Sequence, residues 1–355
     1  ILKFFSNSKS LKKEFKEIII ISRNKLQKYD YLKQLKKNYK VTKINCDVRN
    51  LKKIPRADYV IYAVILNHFK QDYLAVKNYT HLALKYHKHS KILFTSSGAV
   101  YGKQNTKGKK IKEDFLLYDK VNKYKSGYKS LYSYYKLKSE KLFQDLAIQG
   151  LKVSVARCFA FVGEFLPLNS HFVIGNIIQS ILQKKGIKIN ARYKIYRSYM
   201  YADDLVRWLI KIVKNSDKSF NVYNLGSDDQ VSIQKLAYFL SKKYNIKASI
   251  PKITLKTVDN YVPNVNKAKY KLNLKLRYNS LRAINETIKK VLDPKYFNQT
   301  TGKDNVELLN LFNSTKQIDM GLFEKTKNLP EKASSLSMAG GVLPETIEVN
   351  KTDLL

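Results

Sequence analysis

From residue 15 to about residue 158, short apolar β-branched runs alternate with stretches of helical periodicity. The runs at 17–22, 40–46, 58–64, 91–96 and 152–158 have the length and β-branched content of strands. Between them, 29–37, 72–88 and 131–148 repeat apolar positions every three to four residues, which predicts amphipathic helices. This alternation predicts a Rossmann-type, doubly wound parallel sheet over 1–163. Beyond Gly163 the pattern is mixed, with helices near 171–183, 203–214 and 232–244 and short strands near 187–190, 197–201 and 219–225. A smaller mixed α/β region over 164–295 is the expectation.

The start of the chain departs from that pattern. Residues 1–8 read as the end of an amphipathic helix running into the strand at 17–22. A Rossmann domain places a strand and a glycine-rich turn ahead of its first helix, because glycine lets the backbone approach a pyrophosphate. No such turn occurs here, so strand one and its glycine loop are expected to be missing, leaving two neighbouring strands without ladder partners.

Composition narrows the class. With 44% hydrophobic and 12% aromatic residues, this is not a disordered polycation. No apolar run approaches the roughly 18 residues of a membrane span. Cys46 and Cys158 lie in strand-like runs rather than in a disulfide framework, which favours a cytoplasmic setting. The net charge is +39, yet only nine of the 67 cationic residues are arginine, the side chain suited to bidentate phosphate recognition. The excess lysine therefore reads as compositional drift rather than as a specific nucleic-acid surface. Residues 296–355 carry six Lys and eight acids and contain the Ser-rich and Ala-Gly-Gly stretch, and they are read as a separate near-neutral tail.

The sharpest chemical pattern is Ser96-Ser97-Gly98-Ala99-Val100-Tyr101-Gly102 at a strand end, followed by Tyr132-Ser133-Tyr134-Tyr135-Lys136 on a helix. Four residues apart, Tyr132 and Lys136 share one helix face, so the ammonium can sit near the phenol and ease its ionisation. Such a tyrosine can exchange a proton with a substrate hydroxyl while a serine holds the same oxygen. The bland alternative for the pair is a solvated helix face.

Over roughly residues 1–290 the chain resembles the extended short-chain dehydrogenase/reductase family, in particular its NAD(P)-dependent nucleotide-sugar epimerases and dehydratases. The matching pieces occur in order: Asp47-Val48, 95–102, Tyr132/Lys136 with Glu140, 156–163, 197–204 and Tyr223-Asn224-Leu225-Gly226-Ser227. The resemblance implies that Ser97 holds the substrate oxygen, that Tyr132 is the acid/base and that Lys136 binds the nicotinamide ribose and tunes Tyr132. It implies that Asp47 and Val48 meet the adenine, that Ala63 and Val64 line the cofactor cleft and that Arg197 grips the pyrophosphate of a nucleotide-diphosphate sugar. Arg197 could instead be tied to Asp203 or Asp204. The resemblance also implies a homodimer and NAD or NADP as cofactor. Arg23, standing where an NAD-specific relative has an acid, leans towards NADP.

Departures from the family pattern matter. Gly98 and Ala99 replace the Asp-Glu pair of the dehydratases and can neither remove a carbon-bound proton nor assist loss of water. Val76 and Ala160 stand where many relatives have Asn. The expected activity is C4 epimerisation through a transient 4-keto sugar, with reduction of a 4-keto-6-deoxy nucleotide sugar as the alternative and a non-catalytic polyanion binder as the reading from another class. No His combines with Cys or carboxylates at metal-ligand spacing. His81, His87 and His89 are expected to be solvated, Cys158 to be a core residue and the lysine-rich 103–138 stretch to be an exposed insertion.

Overall fold

The run of isoleucines at 18–21 is stiff at χ1 and lies extended as β1 (Glu17–Ser22). Ahead of it stand two short helices, α1 (Leu2–Asn7) and α2 (Lys9–Glu14), rather than one helix end. Ser8 separates them: its backbone is extended, and its hydroxyl accepts from the Leu11 amide at 3.4 Å. The computed structural model describes residues 1–23, 30–66, 68–102, 109–115, 128–168 and 172–293, without the side chains of 128–130. Residues 103–108 and 116–127 of the 103–138 stretch and the whole 296–355 tail lie outside the described residues.

After β1 come α3 (Asp30–Asn38), β2 (Lys40–Asn45), β3 (Tyr59–Tyr62), α4 (Phe69–Tyr86), β4 (Lys91–Ser97), α5 (Tyr128–Ile148), β5 (Lys152–Cys158) and β6 (Phe161–Val162). There follow α6 (Val173–Leu182), β7 (Ile187–Lys188), β8 (Lys194–Arg197), β9 (Met200–Tyr201), α7 (Ala202–Lys214), β10 (Asn221–Leu225) and β11 (Val231–Ser232). The described chain closes with α8 (Ile233–Lys243), β12 (Ala248–Ser249), β13 (Val258–Tyr261), α9 (Asn266–Leu272) and α10 (Ser280–Leu292).

Among the described residues, the longer parallel strands of the first unit form two pieces. One has the order β10-β5-β4-β3; the other is β1 paired with β2 alone. Alternate residues of β4 and β5 point to opposite faces. Ile92, Phe94, Val153 and Val155 face α4 and α5, where Phe94 stacks on Phe143 at 4.4 Å beside Tyr62 and Tyr79. Leu93 and Ala156 face α7 and α9, packing with Trp208, Leu209 and Ile212. Both faces of this piece are therefore covered, as a parallel sheet requires.

The chain divides into two compact units, Ile1–Gly163 with Ser198–Gln230 and Tyr261–Asn285, and Glu164–Arg197 with Val231–Asn260 and the residues from Glu286 on. The contiguous region suggested over 164–295 is thus broken twice. The reason is pairing at long range: β10 joins the free edge of β5, with Tyr223 opposite Ala156, and α7 lies on β4, which returns both segments to the first unit. In the second unit β11 pairs antiparallel with β8, β7 pairs parallel with β12, and Gln234 Nε2 donates to the Tyr193 carbonyl at 3.0 Å.

One solvated group proves to be internal. His87 is 4% exposed, with Nε2 2.9 Å from the Pro55 carbonyl and Nδ1 3.2 Å from the Tyr79 hydroxyl, and burial pushes its pKa down. It ends α4 where the chain turns inwards to β4, whereas His81 and His89 are exposed as expected. Cys158 is half-buried and packs against the core cluster of Leu93 and Ala156, and burial pushes its thiol up to about 12. Among the described residues, no helix is long and apolar enough to cross a membrane.

Candidate active site

The C-terminal end of β4 meets one face of α5. Tyr132, Ser133, Lys136 and Glu140 recur on that face at helical spacing, and three of them bond directly to the strand end and the turn that follows it. Lys136 Nζ donates to the Thr95 carbonyl at 3.3 Å, Ser96 Oγ donates to Glu140 Oε1 at 2.6 Å, and Ser133 Oγ donates to the Ala99 carbonyl at 2.7 Å. Ser97 ends the strand, 9% exposed, and its Oγ accepts from the Ala99 amide at 3.2 Å to cap the turn Gly98–Tyr101. The Lys136 ammonium lies 5.9 Å from the centre of the half-buried Tyr132 ring and 5.2 Å from that of Phe94. Tyr132 in turn packs at 5.2 Å against Phe69.

Lys136 is 9% exposed, not part of a solvated face. Burial pushes its pKa down, and the Asp72 carboxylate opposes that shift. Asp72 was not visible as a site residue in the sequence. It sits in the first turn of α4, 8% exposed, with Oδ1 accepting from the Leu66 amide and Oδ2 buried without a partner. Burial raises its pKa, with the Leu66 amide and then Lys136 pulling the other way. Val64, Phe69, Asp72, Val76, Tyr132 and Lys136 line one cleft.

A second layer holds this face in place. Arg157 of β5 pairs with Glu140 at 2.8 Å and donates to the Tyr101 hydroxyl at 3.0 Å, and Tyr101 donates to Asn224 Oδ1 at 2.7 Å. Asn224 Nδ2 continues to the Ile111 and Asn264 carbonyls at 2.9 and 3.2 Å. The Tyr-Gly, Glu140 and Tyr-Asn-Leu-Gly pieces of the sequence are thus one buried network spanning β4, α5, β5 and β10. Its sequence signal is Arg157, a cation inside the apolar run Val153-Ser154-Val155-Ala156, which demands a buried partner.

The other expected residues divide. Ala63 is exposed and Val64 half-buried just beyond β3. Asp47 caps the turn Val48–Asn50, chelated by Arg49 at 2.8 and 3.0 Å with Arg23 at 3.8 Å. The Arg49 hydrogen bonds hold its carboxyl at about 2. Val48 packs into the core, 8% exposed, so Asp47 alone of that pair presents a polar group. Arg197, in the second unit, pairs with Asp259 at 2.7 Å. Asp204 is engaged by Arg207 and by the Arg277 and Tyr278 amides.

Gly98 explains why no acid stands beside Ser97. A Cβ there would lie 2.8 Å from the Phe159 ring and from the Tyr261 hydroxyl, closer than real Cβ contacts come. A carboxylate at this position requires those two rings to move.

Residues 10–226 match the NAD dependent epimerase/dehydratase family. UDP-glucuronic acid decarboxylase 3 of Arabidopsis thaliana is 25% identical over 193 residues, 51% of this chain and 51% of that protein. The chain thus spans about half the length of this curated relative. Among solved structures, MoeE5 in complex with UDP-glucuronic acid and NAD superposes with a TM-score of 0.62 at 17% identity, covering 81% of this chain and 96% of that one. UDP-glucose 4-epimerase of Thermotoga maritima with UDP-glucose gives a TM-score of 0.62 at 17% identity, covering 82% and 95%. At these identities the two structures establish the fold.

Proposed function

Since the chain belongs to the NAD dependent epimerase/dehydratase family, we propose that it oxidises a nucleotide-diphosphate sugar at C4 with NAD and returns the sugar as its C4 epimer. The observation that carries this reading is the face shared by Tyr132 and Lys136 at the end of β4, with the buried ammonium 5.9 Å from the phenol ring. Tyr132 takes the proton of the 4-hydroxyl and later returns it. Ser97 donates a hydrogen bond to the same oxygen, and Lys136 keeps the phenol ready to ionise by its positive charge. Arg197 holds the sugar nucleotide's pyrophosphate, exchanging its Asp259 partner for phosphate oxygens.

In chemistry, though in a cleft with room for only about one water, these residues suit the nicotinamide end of the cofactor. Val64, Phe69 and Val76 offer an apolar wall, Lys136 a buried cation, and Asp72 Oδ2 a buried acceptor that lacks a donor. Asp47 and Arg23 are the groups available to the adenosine end. No glycine follows β1, β2 or β3 in the sequence stretches 23–29, 46–58 and 63–68. Bound NAD supplies a hydride acceptor and, in its reduced form, the donor.

Loss of water is disfavoured by the crowding at Gly98. Decarboxylation of a nucleotide-linked uronic acid is a second reading, favoured by the decarboxylase among the matching relatives. It shares the first step, after which a 4-keto uronic acid loses carbon dioxide without needing a carboxylate beside Ser97. Incubation of the full chain and NAD with UDP-glucose and, separately, UDP-glucuronic acid, followed by NMR, tests both. A C4-epimeric hexose supports the first reading and a pentose with released carbon dioxide the second. Unchanged substrates with an intact fold count against both.

A further inference from the structure

We propose that Asp72 is a positioning residue for Lys136, its Oδ2 holding the ammonium through one bridging water in the cleft between α4 and α5. The inference deepens the reading of Lys136 as the cation that readies Tyr132, and rests on that reading only for its effect on turnover.

Two buried groups line this cleft with bonding capacity to spare. Both are less than one-tenth exposed. Asp72 Oδ1 accepts from the Leu66 amide, while Oδ2 is buried without a hydrogen-bond partner. Lys136 carries three N–H donors, and among the described residues they have one acceptor, the Thr95 carbonyl at 3.3 Å. Interior donors and acceptors that cannot reach each other are commonly joined by water. The cleft has room for about one water molecule, which can accept from the ammonium and donate to Oδ2. Ser139 lines the same cleft, and its Oγ, donating to the Tyr135 carbonyl at 2.9 Å, is still able to accept the second hydrogen of that water.

The surrounding charges leave Asp72 as the acid available to Lys136. Glu140, one turn further along α5, is committed to Arg157 at 2.8 Å. Cys158 of β5 is held neutral by burial, and Tyr132 and Phe94 present ring faces. Asp72 in turn faces Arg23 and His68, both exposed, and the Tyr62 hydroxyl, which burial keeps neutral. Lys136 is thus the buried cation beside it. Burial disfavours both charges, and each charge supports the other.

The test is an NMR titration of the full chain with lysine isotope-labelled at Cε, the Lys136 signal being identified by its loss in Lys136→Met. Asp72→Asn keeps an oxygen for the Leu66 amide and removes the charge and the second acceptor. The expected result is a Lys136 midpoint lower by at least about one pH unit in this variant, the usual reach of a close opposite charge. By reciprocity, Lys136→Met should raise the Asp72 carboxyl midpoint by a comparable amount, a second reading that holds if the first variant fails to fold. A crystal structure of the parent should show one water at about 2.7–3.2 Å from both Asp72 Oδ2 and Lys136 Nζ. Unmoved midpoints, or ordered side chains with no water between them, overturn the proposal. With a nucleotide sugar that the parent turns over, the alkaline fall of kcat should begin at lower pH in Asp72→Asn, with KM within a few-fold. Shifted midpoints without that change in kcat uphold the positioning and count against Lys136 as the cation that readies Tyr132.

Discussion

The two pieces of the parallel sheet contain the same kind of residue and differ in what surrounds them. Ile92, Leu93 and Phe94 of β4 are at most 1% exposed, with helices on both faces and strands on both edges. Among the described residues, the isoleucines of β1 have one strand neighbour, and they stay half-buried. Charge follows the same division. Glu140 and Arg157 pair at 2.8 Å in the first piece with 8% and 6% side-chain exposure, while Glu17 and Lys40 pair at 3.1 Å on the second with 35% and 74%. Apolar sequence proposes a strand, and neighbours on both edges turn it into core.

The largest effect should come from breaking the buried pair. Glu140→Ala leaves the Arg157 cation uncompensated and should destabilise the fold by about 3–5 kcal/mol in urea titration. A loss below about 1 kcal/mol, the size of an exposed pair, would mean that water reaches Arg157 and that the contrast between the pieces is overstated. Next in size, Ile92→Ala should cost about 2–5 kcal/mol and Ile19→Ala about half of that, because Ile19 is already partly solvated. Equal losses would show that β1 is as well covered as β4.

A smaller, pH-dependent effect should follow Asp72→Asn. Burial raises the Asp72 pKa, so the folded chain holds this proton more tightly than the unfolded chain does. The stability gained is complete below the unfolded carboxyl range, near about 4, and is lost as pH rises through the raised value. The asparagine cannot ionise, so the variant should gain on the parent between pH 4 and 7 in thermal unfolding. Parallel curves would place Asp72 in water. The smallest effect belongs to the open piece: Glu17→Gln should leave the unfolding midpoint unchanged, and a measurable fall would give that surface pair a weight its exposure does not support.

Much of this was legible in the sequence because it is local. Residues 17–22 and 152–158 fall at the observed strand bounds, and Tyr132 with Lys136 lies on one helix face beside the Ser97 strand end. What was not legible depends on contacts far apart in the chain. The recruitment of β10 to β5 brings 198–230 back to the first unit, and no local period announces that pairing. Asp72 reads as an ordinary N-terminal helix acid until the Leu66 amide and Lys136 are seen around it. His87 looks like a helix-end cation until Pro55 and Tyr79 close over it. For Arg197, read as the pyrophosphate contact, the alternative ion-pair partners were the nearest acids, whereas strand pairing in the second unit supplies Asp259 from 62 residues away.

In the proposed reaction Tyr132 moves the proton. The most direct test is single-turnover reduction of NAD by the nucleotide sugar that the parent chain turns over, read by nicotinamide absorbance, in parent and Tyr132→Phe, with sugar-nucleotide affinity measured alongside. The rate should fall by at least about 100-fold, the scale of a lost acid/base group, while affinity stays within a few-fold. A rate within about tenfold of the parent, at unchanged affinity, would contradict it and move the proton-transfer role to another group in the cleft.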